Sequence, residues 1–308
     1  MKPLLGIVLC VLSTIGFTVM GAMVRYVGDR IPVGELVFAR NIVVLVPLVA
    51  FLALRGNLRS TIRTENFRGH FTRGFVNIIS IFCHYAGLVR IPLAEATAIG
   101  FATPLFTVAL AAIFLGEVVR LWRWSAVFVG FIGVLVMLSP HLEASHGSQA
   151  ALGAILVLAS AFLIAVVMIH VRHLSKTETT PRLVLYYSFF AAVASLATLY
   201  WGWVVPSWSD LLALLCIGAC GGLGQTLITE SLRYAPASVV APFGYASMLW
   251  SVLIGYFWLG ELPVAIVFFG AAIVIGSGLF VIWREHRLGV DRKREASMPF
   301  PPAGPPAG

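Results

Sequence analysis

Long apolar runs recur along almost the whole chain, and this recurrence limits the possible folds more than any other feature. Ten runs are separated by short polar breaks, and each is long enough to cross a hydrocarbon core as a helix, which takes about 20 residues. Because backbone groups in lipid must find hydrogen-bond partners within the protein, the runs are predicted to be helices. The predicted spans are residues 4–27, 33–54, 72–90, 94–115, 122–139, 151–171, 183–204, 211–232, 237–259 and 263–283.

Charged residues are too few to cover the surface of a soluble protein. The chain has 308 residues, of which 59% are hydrophobic and 11% charged, whereas soluble domains carry about 25% charged residues. Most of the surface must therefore face lipid. The predicted fold class is an all-α integral membrane protein with ten transmembrane helices.

The basic residues are distributed unequally between the two ends of the predicted helices. Seventeen of the 21 Lys and Arg residues lie on the side that holds both termini, and three lie on the other side: Arg25, Arg30 and Arg90. Arg40 lies inside a helix. Cytoplasmic loops carry the excess of Lys and Arg, so a multi-pass protein of a cell inner membrane with both termini in the cytoplasm is predicted. The net charge of +8 is explained in this way, and nucleic acid is not expected as a partner.

An internal repeat divides the chain. Residues 104–117 (PLFTVALAAIFLGE) align without gaps on residues 248–261 (MLWSVLIGYFWLGE), and each segment closes a predicted helix, the fourth and the ninth. The repeat unit is therefore five helices, and an odd number makes the two halves insert in opposite orientations. Inverted repeats are typical of secondary transporters, with the binding site between the halves. We assign residues 4–139 and 151–283 to the two repeats, and residues 284–308, charged and then Pro-rich, to a disordered cytoplasmic tail.

Several motifs resemble the EamA family of the drug/metabolite transporter superfamily. They are Phe38-Ala39-Arg40, the segment RIPLAEA at residues 90–96, and Leu-Gly-Glu at both 115–117 and 259–261. The second unit departs from the pattern, because Tyr187 stands where the first unit has Arg40. The resemblance covers residues 4–283 as two EamA units. It implies an inner-membrane carrier of an amino acid, S-adenosylmethionine, riboflavin or another small polar metabolite.

Arg40 is the first candidate for solute binding. It lies seven residues into the second helix, about 10 Å deep at 1.5 Å per residue. Ionisable groups at this depth usually face a cavity or a partner, so Arg40 is expected to bind a carboxylate or phosphate. The alternative is that its side chain extends to the lipid headgroups.

The other candidates are polar or aromatic residues inside predicted helices. Asn77, His84 and Tyr85 lie in the third helix, and Gln225 and Thr229 share one face of the eighth. Their structural alternative is a hydrogen bond between helices. Tyr187 and Tyr245 offer a ring and a hydroxyl to a cavity, although such rings often face lipid. Glu230 is the candidate for energy coupling, or it pairs with Arg233; Glu35 and Glu95 are other acids near the membrane.

Other function classes leave signatures that are missing from this sequence. No H-E-x-x-H zinc motif and no Walker G-x-x-x-x-G-K-[ST] loop occurs. An intramembrane enzyme and a non-transporting sensor or assembly protein stay as alternatives. No catalytic residue, metal site or cofactor is predicted. The expected partners are a small-molecule solute and the lipid bilayer, with a homodimer left open. Import, export and the form of energy coupling stay open as well.

Overall fold

The structure, a computed structural model, describes residues 3–64, 66–114, 121–142, 147–174, 178–235 and 237–296. Within these residues every regular element is helical. The helices are α1 (Pro3–Val27), α2 (Val33–Leu54), α3 (Leu58–Ile62), α4 (Phe67–Leu88), α5 (Leu93–Gly100), α6 (Ala102–Phe114), α7 (Leu121–Leu142), α8 (Gly147–Leu174), α9 (Thr180–Leu196), α10 (Trp208–Tyr234), α11 (Ala237–Gly244), α12 (Ala246–Phe257) and α13 (Ala265–Ala296).

Nine segments of the described chain are long and apolar enough to cross a membrane. The chain is therefore an integral multi-pass membrane protein, as its composition predicts. The predicted span that falls outside the nine is the third and most polar one, which corresponds to α4 and is 22 residues long. The nine segments are residues 4–27, 33–54, 93–114, 121–140, 149–171, 181–201, 208–234, 239–257 and 265–284.

The fourth and ninth predicted spans are each broken into two helices. Phe101 separates α5 from α6, and Tyr245 separates α11 from α12. Pro104 has no N–H to donate to the carbonyl of Gly100, four residues earlier, which explains the first break. The two break residues are offset by the same distance in sequence as the aligned repeat segments. The discontinuities therefore occur at equivalent places in the two repeats.

Helix contacts between the repeats follow a symmetric scheme. The largest contacts join α1 to α10, α4 to α8, α2 to α9 and α7 to α13. Matching the predicted spans in order pairs α1 with α8 and α4 with α10, so the α1–α10 and α4–α8 contacts are equivalents. The α2–α9 and α7–α13 contacts are each their own equivalent. This pattern is expected when a two-fold axis relates two halves that pack face to face.

Two glycines allow the closest of these approaches. A Cβ at Gly133 of α7 would lie 2.8 Å from the carbonyl oxygen of Gly270 in α13, and one at Gly270 would lie 2.6 Å from that of Gly133. Neither helix could come so close with a side chain at this crossing, since small residues are what permit backbones to approach in membranes.

The C-terminal end differs from the prediction. Residues 284–296 were expected to be part of a disordered tail, but α13 continues to Ala296. This stretch is rich in Arg, Lys and Glu, which are good helix formers and continue a helix already nucleated in the membrane. Residues 297–308 and the Leu-Gly-Glu at 115–117 lie outside the described residues.

Candidate functional site

The two residues at equivalent positions of the repeats, Arg40 and Tyr187, meet between α2 and α9. Arg40 Nη1 donates a hydrogen bond to the Tyr187 hydroxyl at 2.7 Å, and the guanidinium carbon lies 6.0 Å from the centre of the tyrosine ring. Arg40 therefore does not extend to the headgroups. Its charge is directed toward the second repeat.

Arg40 keeps an unused donor. Its Nε is buried without a hydrogen-bond partner, and so is the hydroxyl of Tyr85, whose side chain is 1% exposed. Tyr85 and His84, neighbours on α4, both interact electrostatically with Arg40. Buried polar groups normally have partners, so these unpaired donors mark a place where an acceptor is expected.

The charge of Arg40 is also not matched by a carboxylate. Within the described chain, the groups that interact electrostatically with Arg40 are those of Tyr187, Tyr85 and His84. A buried charge is costly unless it is paired and hydrogen-bonded. The arrangement is therefore suited to an acid group that arrives from outside the protein.

A cavity of about 400 Å³ adjoins this cluster. Met20 lines the cavity, and a Cβ placed on Gly221 would lie 2.8 Å from the Met20 sulfur and 3.3 Å from Arg40 Nε. Arg40 Nε therefore lies close to Met20, a residue of the cavity wall, although Arg40 does not itself line the cavity. Its volume lies within the range of about 300–1,000 Å³ typical of small-molecule sites.

The cavity wall is apolar with a set of hydroxyl groups. It is formed by parts of both repeats, and His84, Phe17 and Phe101 contribute rings. Side-chain hydroxyls can donate and accept hydrogen bonds, so the cavity offers a polar solute several partners without adding charge. The hydroxyl residues are Thr14, Thr18, Thr97, Thr103, Ser160 and Ser247.

The remaining predicted residues lie away from this cluster. Asn77 is on α4, seven residues before His84 and on the same face. Tyr245 lines a second cavity rather than the first. Gln225 lies one turn beyond Gly221 on α10 and is exposed, and Thr229 donates a hydrogen bond to its backbone oxygen at 2.7 Å.

Three acids proposed as proton carriers have ordinary structural contacts. Glu230 accepts a hydrogen bond from Arg233 at 2.8 Å, and its side chain is 38% exposed. Glu35 accepts from the backbone N–H of Val204 and Glu95 from that of Val264, each at 3.2 Å. None of these contacts links an acid to Arg40.

Sequence reasoning missed the hydroxyl lining and Phe101. Ser and Thr occur throughout these helices, and nothing in their spacing distinguishes those that face a cavity. Phe101 had a usable signal, because it falls in the same register as Tyr245 when the two repeat segments are aligned.

Comparison with known proteins places this architecture among transporters. The sequence profile of the EamA-like transporter family matches residues 4–139 and 151–283, the same bounds as the two predicted repeats. A solved crystal structure shares the fold with a TM-score of 0.60, covering 90% of this chain and 98% of its own length at 19% identity.

Three curated relatives match along nearly their entire lengths. The S-adenosylmethionine uptake transporter of Rickettsia felis is 29% identical over 95% of this chain and 97% of its own. The pseudopaline exporter of Pseudomonas aeruginosa is 26% identical, covering 88% and 93%. The riboflavin transporter of Vibrio cholerae is 26% identical, covering 92% and 95%. Both import and export therefore occur among similar chains.

Proposed function

Because the chain belongs to the EamA-like transporter family and is a membrane transporter of a small metabolite, we propose that it is a secondary transporter working by alternating access. The Arg40–Tyr187 hydrogen bond carries the proposal. It joins equivalent positions of the two repeats beside a cavity of about 400 Å³. Secondary transporters built from inverted repeats bind their solute at such an interface and expose it to each side in turn.

The proposal includes ten transmembrane helices, with α4 as the tenth. Polar side chains of α4 point inward: His70 and Ser80 are 2% and 1% exposed, and Arg73 donates to the backbone oxygen of Leu183 at 3.0 Å. A helix that keeps its polar side chains inside the helix bundle, away from lipid, can cross a bilayer despite modest hydropathy. Ten spans put both termini on the side of the basic loops, which we assign to the cytoplasm of a cell with an inner membrane.

The proposed solute carries a carboxylate or phosphate, or a strongly polar carbonyl, together with hydrogen-bonding groups. Arg40 binds the acidic part, because a guanidinium can hold two oxygens in parallel hydrogen bonds. The hydroxyls of the cavity form hydrogen bonds with the other polar groups of the solute. Of the solutes named for the relatives, S-adenosylmethionine has both an acid group and ribose hydroxyls, and riboflavin has carbonyls and hydroxyls.

The alternative of an intramembrane enzyme is less well supported. Among the described residues that line the cavity there is no carboxylate, and His84 is the sole titratable side chain. General acid–base or nucleophilic chemistry needs a positioned pair of such groups. The site also lies within one chain, so the proposal requires no homodimer.

The solute class is tested by comparing metabolites in cells that lack and cells that overproduce the protein. We expect one family of metabolites that bear an acid group or a strongly polar carbonyl to change in opposite directions in the two strains, inside the cells and in the medium. If the responding metabolites are purely cationic or apolar, the proposed solute class is wrong. If no metabolite responds at confirmed membrane abundance, the transport proposal itself loses its support.

A further inference from the structure

The structure contains a second cavity, and a pair of aromatic residues lies between it and the first cavity. The second cavity has a volume of about 360 Å³. Phe101 and Gly244 line both cavities, whereas Tyr245 lines the second. The rings of Phe101 and Tyr245 meet edge to face, with centroids 5.0 Å apart at 76°.

The two cavities belong to different halves of the membrane. The first includes Leu88 and Leu93, which flank the α4–α5 connection. The second includes Val127, near the start of α7, and Ile282, near the end of the α13 span. Since α5 and α6 together cross the bilayer between these places, one cavity lies toward each face. Under the proposed topology the first is the outer cavity and the second the inner cavity.

The inner cavity is apolar. The hydroxyl of Tyr245 is the one side-chain polar group among the described residues that line it. An apolar lining gives water and polar solutes few hydrogen-bond partners, and a dewetted apolar constriction is a barrier to polar solutes and ions. The outer cavity, with its hydroxyls, is suited to hold a solute while the inner cavity is closed to it.

The aromatic pair lies at two breaks in the transmembrane helices. Phe101 and Tyr245 are the residues at which the fourth and ninth spans are broken. A Cβ added at Gly100 or Gly244, directly before them, would meet no other part of the molecule within 4 Å, so each break has open space on its cavity side. Tyr245 is held on the other side, because its hydroxyl would lie 2.0 Å from a Cβ on Gly278 of α13. A change of angle at either break therefore moves one ring away from the other.

We infer that Phe101 and Tyr245, the equivalent break residues of the two repeats, form the central gate between an outer binding cavity and an apolar inner cavity. This inference rests on the proposed transport function. In the structure the gate is closed. Bending at the two breaks separates the rings, joins the cavities and admits the solute and water to the inner half.

The test measures access to the inner cavity without any solute. Val108 lines the inner cavity and not the outer one, so Val108→Cys is introduced in a background without the four native cysteines. A membrane-impermeant thiol reagent is added to the outside of intact cells, and the labelling rate is measured. We expect Phe101→Ala and Tyr245→Ala each to raise the rate at least about tenfold, equivalent to about 1.4 kcal/mol in favour of the open state.

Phe106→Ala is the matched control. Phe106 is on α6, the helix that carries Val108, and packs against Phe131 and Phe162, but it lines neither cavity. It should leave the labelling rate unchanged, and Tyr245→Phe, which keeps the ring, should do the same. Equal labelling with and without the Phe101 ring would overturn the gate, as would an equal rise in Phe106→Ala. Because the readout needs no solute, failure of the gate is distinguishable from failure of the transport proposal.

Discussion

Arg40 brings a positive charge into the membrane and leaves part of its hydrogen-bonding capacity unused. One nitrogen donates to Tyr187, and Nε has no partner among the described residues. A side chain retained at this cost is usually functional. The hydroxyl of Tyr85, also unpaired, lies in the same electrostatic environment. A solute that binds here must therefore supply hydrogen-bond acceptors to Arg40 Nε and to the Tyr85 hydroxyl.

Replacing Arg40 by lysine tests the planar fork of the guanidinium. Desolvated hydrogen bonds to a charged group contribute about 1.5–3 kcal/mol each, so losing one should weaken solute binding roughly tenfold to a hundredfold. Arg40→Lys should be nearly as damaging as Arg40→Gln, because a lysine ammonium cannot reproduce the bidentate geometry. Normal affinity and rate in Arg40→Lys, at equal membrane abundance, would contradict the binding role.

The Tyr187 hydroxyl can be tested against that of its neighbour. Tyr187→Phe removes the acceptor of the Arg40 hydrogen bond but keeps the ring, so the guanidinium loses its orientation and the solute affinity should fall by about tenfold. Tyr186→Phe is the matched control, because its hydroxyl bonds the backbone oxygen of Ile62 at 2.6 Å. Equal effects of the two substitutions on solute binding would contradict the role of the Tyr187 hydroxyl in orienting Arg40.

At the scale of elements, the short helix α3 is fixed to the start of α9. The last carbonyls of a helix have no partner within it. Arg182 donates to those of Ser60 and Thr61 at 2.7 and 3.0 Å. Arg182 also binds Glu178, which accepts a hydrogen bond from Thr64. These contacts join the α2–α4 connection of the first repeat to the second repeat.

The carboxyl of Glu178 makes this contact sensitive to acid. Burial raises its pKa, but the hydrogen bonds donated by Arg182 and Thr64 outweigh burial and hold the pKa below its usual value. A group whose pKa is lowered on folding stabilises the folded state above its unfolded pKa, and the stabilisation is lost as pH falls through the folded pKa. The α3–α9 contact should therefore loosen only in strong acid.

Arg182→Gln should release α3 at neutral pH. The substitution removes the charged donor to Ser60, Thr61 and Glu178, and loss of a single charged hydrogen bond weakens docking by about 1.5 kcal/mol or more. Trypsin added to inside-out vesicles should then cleave at Arg59 and Arg63 about tenfold faster, because cleavage follows local opening. Arg233→Gln breaks an exposed ion pair and is the control. Unchanged cleavage in Arg182→Gln would mean that α3 is held by other contacts.

The sequence predicts the elements well and the site only in part. Hydropathy alone locates nine of the described spans, because length and apolar content are what lipid demands. The breaks at Phe101 and Tyr245 are not visible to a hydropathy window, which averages across a single non-helical residue. The sequence makes Arg40 a candidate because an ionisable group at that depth usually faces a cavity or a partner, and Tyr187 because it offers a cavity both a ring and a hydroxyl. The cavity hydroxyls were not, since which face of a helix meets a cavity depends on packing between repeats.

At the scale of the whole molecule, the orientation that we propose for the chain rests on its charge asymmetry. Cysteine substitutions at Glu143 and Lys176 place a thiol in each of two predicted loops on opposite sides. An impermeant thiol reagent applied to intact cells should label position 143 and not position 176, since basic loops stay in the cytoplasm. Labelling at position 176 alone would require the inverted orientation.

A compact polar cluster joins the two repeats on the side that the proposed topology places outside the cell. Glu261, from the α12–α13 connection, accepts a hydrogen bond from Arg25 of α1 at 2.7 Å and another from the backbone N–H of Leu93 at 2.8 Å. Arg25 also donates to the backbone oxygen of Val89 at 2.7 Å. Alternating access requires this cluster to separate whenever the outer side opens.

Locking that cluster tests alternating access most directly. Arg25→Cys and Glu261→Cys are combined in a cysteine-free chain, joined by a short reducible thiol crosslinker, and the protein is reconstituted into vesicles. Uptake of the identified solute is measured before and after reduction, against lipid-only vesicles. We predict uptake in the reduced protein and none above the lipid-only level in the crosslinked protein. Equal uptake by a fully crosslinked population would contradict alternating access between the two repeats.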